Sequence, residues 1–136
     1  MITLRVNAPG VAEWVRERIP KVAAWLPEHK SVAAFFGQEL IGAVVYDGFT
    51  PYDCNVHIAI RDRRCVTRPA IRAVFGYPFE QLRLRRITAQ VGAENMVSRR
   101  FVAHAGFQLE GRKEHGLGDE DELIYGLTYE RARKWL

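Results

Sequence analysis

The sequence predicts a single domain of mixed α/β (α+β) class, with helices packed on a central sheet. Its 136 residues suit one domain, since domains usually hold roughly 100–200 residues. Hydrophobic residues make up 48% and charged residues 26%, which is the composition of a globular protein. Helical and strand hydrophobic patterns follow one another as two helices, three strands, a helix, a strand, a helix and two strands.

Two helices are predicted ahead of the first strand. Asparagine can cap a helix and proline is tolerated in its first turn, so Asn7-Ala8-Pro9 is a typical helix start. A second short helix is predicted over residues 21–26, between Pro20 and Pro27. In the first helix, apolar residues recur at helical spacing: Val11, Trp14, Val15 and Ile19.

Three strands come next. Apolar runs at residues 32–36 and 40–46 flank the turn signal Gly37-Gln38-Glu39 and predict a hairpin. Residues 47–53 contain Gly, Thr and Pro and are predicted to form a loop. A third strand is predicted over residues 55–61. Alternation directs Val56, Ile58 and Ile60 to one face and His57, Ala59 and Arg61 to the other.

The most periodic segment is a helix that begins at a Thr67 cap and continues through Leu82. Pro78 cannot donate to the carbonyl of Val74, so a kink is expected beside Gly76.

A strand over residues 86–91 follows, with Ile87, Ala89 and Val91 inward. Asn95 can cap a helix through Ala105, and Gly106 suits the residue after its end. The last strands, over residues 107–111 and 123–129, flank a turn at Asp119-Glu120-Asp121. The final strand places one set of side chains on one face: Leu123, Tyr125, Leu127 and Tyr129.

Composition and motifs exclude several classes of protein. No run approaches the roughly 18 apolar residues of a membrane helix, and the first five residues lack a signal-peptide pattern. Cys54 and Cys65 are too few for a disulfide framework and lack CxxC spacing, which favours a reducing cytoplasm. The four histidines show no ligand spacing, so no metal site is expected. P-loop, GxGxxG, HExxH and GxSxG motifs are missing.

A basic strand-to-helix turn is the first candidate site. Arg61 leads into Asp62-Arg63-Arg64-Cys65-Val66-Thr67-Arg68, where a helix begins. A helix N-terminus offers free N–H groups at the positive end of its dipole, and guanidinium groups suit phosphate. The turn is therefore either an anion site or a solvated basic loop.

Two stretches carry a family resemblance. Asn95-x-x-Ser98-x-x-Phe101, followed by Gly106-Phe107-x-x-Glu110-Gly111, resembles the late motif of the GNAT superfamily of N-acetyltransferases. Tyr77 to Leu82, Arg86-Ile87 and Val91 resemble the preceding helix and strand of that family. The resemblance spans roughly residues 30–136, extends to the last hairpin, and is greatest to small acetyltransferase-like proteins of phages and prophages.

The resemblance implies a mostly antiparallel sheet of about six strands, helices on both faces, and a V-shaped splay between two parallel central strands. Acetyl-CoA would lie in the splay. Its pantetheine would pair with the backbone of Ile58, Ala59 and Ile60. Its pyrophosphate would lie on the loop that contains Arg63, Arg64, Val66, Thr67 and Arg68. Asn95 and Ser98 would lie near the pantetheine and the thiol, and Phe101 would pack against the cofactor.

Alternatives remain for each member of this set, since Asn95 could be only a helix cap, Ser98 a capping-turn hydroxyl and Phe101 a core residue. Two departures from the family pattern stand out. Arg63-Arg64-Cys65 replaces the Gly-x-Gly of the pyrophosphate loop. Val102 replaces the tyrosine that protonates the departing thiolate in many members, a role left to Ser98 or a water.

The implied reaction is direct attack of a primary amine on the thioester, with a base that takes a proton from the ammonium. His57 and Glu110 are the candidate bases, because an imidazole titrates near neutral pH and Glu110 matches a family position. A half-buried structural histidine and an arginine-paired glutamate are the alternatives. Tyr125, His115 and Asp119 could line the acceptor pocket.

Three functions compete. The first is an acetyl-CoA-dependent N-acetyltransferase acting on a small molecule, a protein or an aminoacyl-tRNA. The second is a GNAT-shaped CoA-binding or protein-binding module with little or no catalysis, such as a phage factor that binds a host protein. The third and least favoured is a nucleic-acid binder using Arg61 to Arg64, Arg83 to Arg86 and Arg99-Arg100. A cytoplasmic monomer or homodimer without membrane contact is expected.

Overall fold

The computed structural model describes residues 1–19 and 24–136. Within these ranges the chain forms a mixed α/β fold with a seven-stranded sheet and four α-helices. The strand order is β1-β2-β3-β4-β5-β7-β6, in which β4 and β5 are parallel and all other neighbours antiparallel. The strands are β1 Ile2–Val6, β2 Lys30–Phe36, β3 Glu39–Asp47, β4 Asn55–Ile60, β5 Arg86–Gly92, β6 Gln108–Leu117 and β7 Glu120–Thr128; the helices are α1 Val11–Arg18, α2 Arg68–Gly76, α3 Met96–Ala105 and α4 Tyr129–Ala132.

Three predicted helix boundaries are confirmed by their caps. The Thr67 hydroxyl accepts a hydrogen bond from the N–H of Ala70, at the start of α2. The Asn95 side chain accepts one from the N–H of Ser98, and Gly106 ends α3 in the left-handed region with φ 109°. The helix becomes irregular where the kink was expected, because α2 ends at Gly76 and passes into a π-helical turn over Tyr77–Gln81, in which Pro78 lacks an N–H.

The sequence prediction is wrong at the N-terminus. Residues 2–6 form the edge strand β1, which was not predicted, so the sheet has seven strands rather than six. Helix α1 is capped by Gly10, whereas the Asn7 side chain accepts a hydrogen bond from the N–H of Ser31. The predicted helix over residues 21–26 falls largely outside the described ranges, and residues 24–26 have no regular structure.

Strand boundaries in β3 and in the closing hairpin also differ. Asp47 belongs to β3 instead of the following loop. The closing hairpin is longer than predicted, since β6 continues to Leu117 and β7 begins at Glu120. Tyr129 starts α4 rather than ending the last strand. The strands of the closing hairpin continue through charged residues because backbone hydrogen bonds between them hold them together. Such bonds leave no hydrophobic pattern in the sequence.

The two faces of the sheet carry separate apolar clusters. On one face, α1 packs Val11 and Val15 against Ala33, Val45 and Ala59. The other face holds the larger core, to which α2, α3 and α4 contribute. Helices therefore cover both faces, as the predicted fold requires. No helix in the described part of the chain is long and apolar enough to cross a membrane.

We expect Leu127→Ala to destabilise the protein by about 2–5 kcal/mol, because it removes a fully buried leucine and leaves a cavity in the larger core. The matched control is Leu109→Ala on the adjacent strand, where the side chain is 55% exposed and the expected change is within about 0.5 kcal/mol. Urea unfolding measures both. Equal destabilisation by the two substitutions would contradict the assigned core.

Candidate functional site

The central feature of the sheet is a gap between β4 and β5. The two parallel strands pair only at Asn55 with Thr88 and at Val56 with Ala89. Beyond those pairs, residues 57–60 and 90–92 have no partner across the gap. Each strand remains paired on its other side, β4 with β3 through Ile60 and β5 with β7 through Gly92. The expected V-shaped splay is therefore present.

Backbone polarity in the gap follows from the hydrogen bonds at its closed end. The Thr88 N–H donates to the Cys54 carbonyl at 2.9 Å, so even-numbered residues of β4 direct their backbone groups towards β5. Ile58 and Ile60 consequently point their N–H and C=O groups into the gap. Ala59 points its backbone at β3 instead, which leaves it unsuited to the pairing expected of it.

The gap opens into a groove of about 830 Å³ that residues from both faces of the sheet line, with α1 on one side and α3 on the other. Walls are contributed by β4, β5, β7, α3 and the segment after α1. The groove brings together most predicted residues of the central site, namely Ile58, Ala59, Ile60, Asn95, Ser98 and Phe101, and adds His57. Residues that sequence reasoning missed include Asp47, Gln90, Gly92, Glu120 and Glu122.

The start of α3 supplies one wall. The Asn95 side chain caps the helix by accepting from the Ser98 N–H at 3.2 Å, which leaves its amide NH₂ and the Ser98 hydroxyl facing the groove region. Phe101, one turn further on, is half-buried and contacts the larger core as well as the groove. Val102, where a tyrosine was expected from the family pattern, is 2% exposed and offers no proton donor.

The loop after β4 differs from the expected anion site. Asp62 caps a 3₁₀ turn over Arg63–Cys65, and its carboxylate accepts from the Arg64 N–H at 2.9 Å. The N–H groups of Cys65, Val66 and Thr67 all donate within the loop. The free main-chain donors predicted for this turn are therefore largely occupied.

The arginines of the same loop differ in availability. The Arg64 guanidinium binds Asp62 at 2.6 Å and lies over the Phe36 ring at 4.3 Å. Arg68 donates to the Lys134 carbonyl at 2.5 Å and lies 5.5 Å from the Trp135 ring. The Arg63 guanidinium has no ion pair with the residues that the structure describes. It is the loop cation best placed to meet an anion.

Buried polar groups meet at the groove wall formed by β3 and β4. The His57 Nε2 lies 2.9 Å from the Asp47 Oδ1, and the Asp47 carboxylate also accepts from the Leu26 N–H at 3.2 Å. Burial alone would raise the pKa of Asp47. The His57 hydrogen bond and charge, with donation from Leu26 and Asn55, outweigh burial and lower that pKa.

Glu110 lies apart from this site. It forms an ion pair with Arg86 at 2.6 Å, and Arg86 also lies 3.6 Å from Asp53. Arg86 begins β5, so the pair is at the closed end of the splay, away from the groove. Of the two candidate bases, the structure brings only His57 to the groove.

The remaining predicted acceptor residues do not converge. The Tyr125 hydroxyl is 3.2 Å from the Arg99 Nε and the side chain is buried beneath α3. His115 and Asp119 lie at the exposed β6–β7 hairpin, outside the groove lining. Many arginines proposed for nucleic-acid contact form intramolecular pairs, including Arg61 with Glu39 and Arg86 with Glu110.

Comparisons with known proteins agree with this geometry at the level of the fold. No protein-family model matches the chain, and no curated protein matches it. Solved structures do match the chain. A spermidine/spermine N-acetyltransferase SpeG from Vibrio cholerae, solved in mutant forms, superposes with a TM-score of 0.78 at 17% identity, over 98% of this chain and 98% of that one.

Two further structures are similar. A protein from Desulfovibrio desulfuricans, described as an acetyltransferase of the GNAT family, has a TM-score of 0.67 at 20% identity, covering 94% of this chain and 99% of its own. A GNAT-family acetyltransferase from Bacillus anthracis has a TM-score of 0.61 at 22% identity, covering 76% and 67%. The chain therefore has the fold of GNAT-family acetyltransferases.

Proposed function

We propose that the protein is an acetyl-CoA-dependent N-acetyltransferase that modifies a primary amine. The observation that carries the proposal is the gap between β4 and β5, in which Ile58 and Ile60 present backbone groups without a partner strand. Those groups match the amides of a pantetheine arm, which can pair as an added strand does. The acetyltransferase fold of the structural neighbours supports the same assignment.

The residues present fit the pantetheine part of acetyl-CoA better than its diphosphate. Ile58 and Ile60 would hold the pantetheine amides, with Asn95, Ser98 and Phe101 along the opposite wall. Loop amides cannot cradle the diphosphate, since they already donate within the turn. Side chains would bind it instead, with Arg63 foremost and Arg64 and Arg68 available if they leave their present partners.

The acceptor amine would enter from the α1 face, where His57 lies in the groove. When bound, acetyl-CoA supplies a thioester whose C–S bond breaks as the C–N bond of the amide forms. His57 takes the first of the two protons that the ammonium loses on becoming an amide. The second amine proton would pass to the departing sulfur through the Ser98 hydroxyl or a water that it holds, because Val102 has no proton to donate.

The chemical character of the acceptor follows from the groove walls. Glu120 and Glu122 lie on the β7 wall. The Glu120 carboxylate accepts from the Glu94 N–H at 2.7 Å, and the Glu122 carboxylate forms an ion pair with Lys113 at 3.4 Å. The Glu120 carboxylate at that wall favours a cationic amine over an anionic one. The SpeG neighbours are named for spermidine, which makes spermidine a rational first probe.

A second candidate function is a CoA-binding or protein-binding module with little catalysis. Two observations favour it, namely the buried Val102 at the position of the usual acid and the occupied amides of the 62–67 loop. This candidate predicts CoA binding, or binding to another protein, without acetyl transfer.

The test is acetyl transfer to three amines: spermidine, lysine and a peptide with a free N-terminus. We expect thiol release from acetyl-CoA together with a mass increase of one acetyl group on at least one amine. Ser98→Phe should lower the affinity for acetyl-CoA at least about tenfold in calorimetry, since it fills the groove wall. Ala103→Phe, on the exposed side of the same helix, is the matched control.

Binding without transfer would favour the second candidate. Absence of acetyl-CoA binding by the unmodified protein, or an equal loss of affinity in both phenylalanine variants, would contradict the assigned donor site.

Asp62→Asn should tighten acetyl-CoA binding severalfold. The Arg64 hydrogen bonds hold the pKa of Asp62 below its usual range, so its carboxylate is charged and competes with a diphosphate for that guanidinium. Asparagine can still cap the 3₁₀ turn but carries no charge. Calorimetry at two salt concentrations gives the affinity.

Asp121→Asn is the matched control, because Asp121 is also paired with an arginine and a backbone N–H but lies on the β6–β7 hairpin and not in the 62–67 loop. Unchanged affinity in Asp62→Asn would place the diphosphate elsewhere.

A further inference from the structure

Asp47 is a buried carboxylate whose hydrogen bonds converge on the groove. It is the last residue of β3 and is 4% exposed. Its Oδ1 lies 2.9 Å from the His57 Nε2, its Oδ2 accepts from the Leu26 N–H, and the Asn55 side chain also donates to the carboxylate. Both Asp47 and His57 line the groove on the side where an acceptor would approach.

We propose that Asp47 is a positioning residue that holds the proton of His57 on Nε2, so that Nδ1 is the atom that accepts the proton of the acceptor amine. The inference rests on the proposed N-acetyltransferase function and extends it to a second residue and a defined atom. Asp47 itself does not touch the reacting groups; it acts through His57.

The tautomer follows from donor and acceptor chemistry. The lowered pKa of Asp47 keeps its carboxylate ionised at neutral pH, and an ionised carboxylate can only accept hydrogen bonds. Nε2 must therefore carry the hydrogen of the 2.9 Å contact. Nδ1 of a neutral ring then has a free lone pair, and it has no partner among the residues that the structure describes.

Packing fixes the ring in the same orientation. The Trp25 ring meets the His57 ring edge to face, with centroids 4.9 Å apart, and the Trp25 Nε1 donates to the Ala12 carbonyl at 2.9 Å. The histidine side chain is 13% exposed, which allows little freedom to rotate. A ring flip would break the Asp47 hydrogen bond in a buried setting, which is costly.

The proton balance of the step is simple. The ammonium gives one proton to Nδ1, the resulting amine forms the C–N bond, the C–S bond breaks, and the thiolate takes the second amine proton. His57 later returns its proton to water. Asp47 from β3 contacts the ring directly. The other charged or titratable groups that line the groove or neighbour Trp25 are Arg18 from α1, Arg61 after β4, Glu120 and Glu122 from β7, and His29.

The experiment compares Asp47→Asn with Asp53→Asn, a half-buried carboxylate at the closed end of the splay that accepts from Thr88. Long-range ¹H–¹⁵N spectra of the imidazole report the tautomer without any substrate. We expect the Nε2–H form in the unmodified protein and in Asp53→Asn. Asp47→Asn should show a mixture of tautomers, since the asparagine NH₂ can donate to Nε2.

Activity is measured with acetyl-CoA and the amine that reacts fastest in the panel above. For Asp47→Asn we expect kcat to fall about 10²-fold with KM changed little. Asp53→Asn should retain kcat. His57→Gln should lose as much activity as Asp47→Asn while remaining folded, because a glutamine amide can still donate to Asp47.

An unchanged tautomer or an unchanged kcat in a folded Asp47→Asn variant overturns the proposal. If that variant does not fold, full activity in His57→Gln overturns it instead, and lost activity with intact folding supports it. If the unmodified protein acetylates no amine, the proposed function fails, the catalytic role of Nδ1 fails with it, and the tautomer spectra alone decide whether Asp47 positions the ring.

Discussion

The candidate site depends on the point at which β4 and β5 stop pairing. At the closed end, the Tyr52 carbonyl accepts from the N–H groups of Arg85 and Arg86 at 2.9 and 3.2 Å, and Cys54 accepts from Thr88. These bonds hold the strand starts together. Because β3 and β7 keep pairing with the outer edges of β4 and β5, the inner edges can diverge with the sheet twist while the fold stays intact. An opening with unpaired backbone results.

The polar cluster at the closed end makes this arrangement stable. Burial raises the pKa of Asp53, although Thr88 and Arg86 act in the opposite direction. Arg86 joins Asp53 to Glu110, so one guanidinium links the loop before β4 with the edge strand β6. A glutamate in the late motif therefore supports the sheet here, whereas His57, just past the last paired residue of β4, lines the groove.

Local signals in the sequence predicted most elements correctly, because caps and periodic apolar residues are encoded by neighbours in the chain. Thr67, Asn95 and Gly106 are examples. The edge strand β1 carried no such signal: it exposes most of its side chains and is held by pairing with β2. Asp47 was missed for the same reason, since its proposed role depends on a contact with His57 ten residues away on the next strand. The V-shaped splay was predicted from the family resemblance and not from hydrophobic periodicity.

In the 62–67 loop, the replacement of the family's glycines changes which groups are available to bind a diphosphate. A glycine-rich turn would present backbone N–H groups to a diphosphate, and its affinity would depend on close approach of the main chain. In this chain, Asp62 and the loop carbonyls satisfy those donors, and arginine side chains surround the same position. Binding of a nucleotide here would rely on mobile, screened guanidinium groups, which contribute less than a fixed cradle of amides. Under the proposed function, the unpaired backbone of Ile58 and Ile60 would therefore supply most of the specificity for the donor.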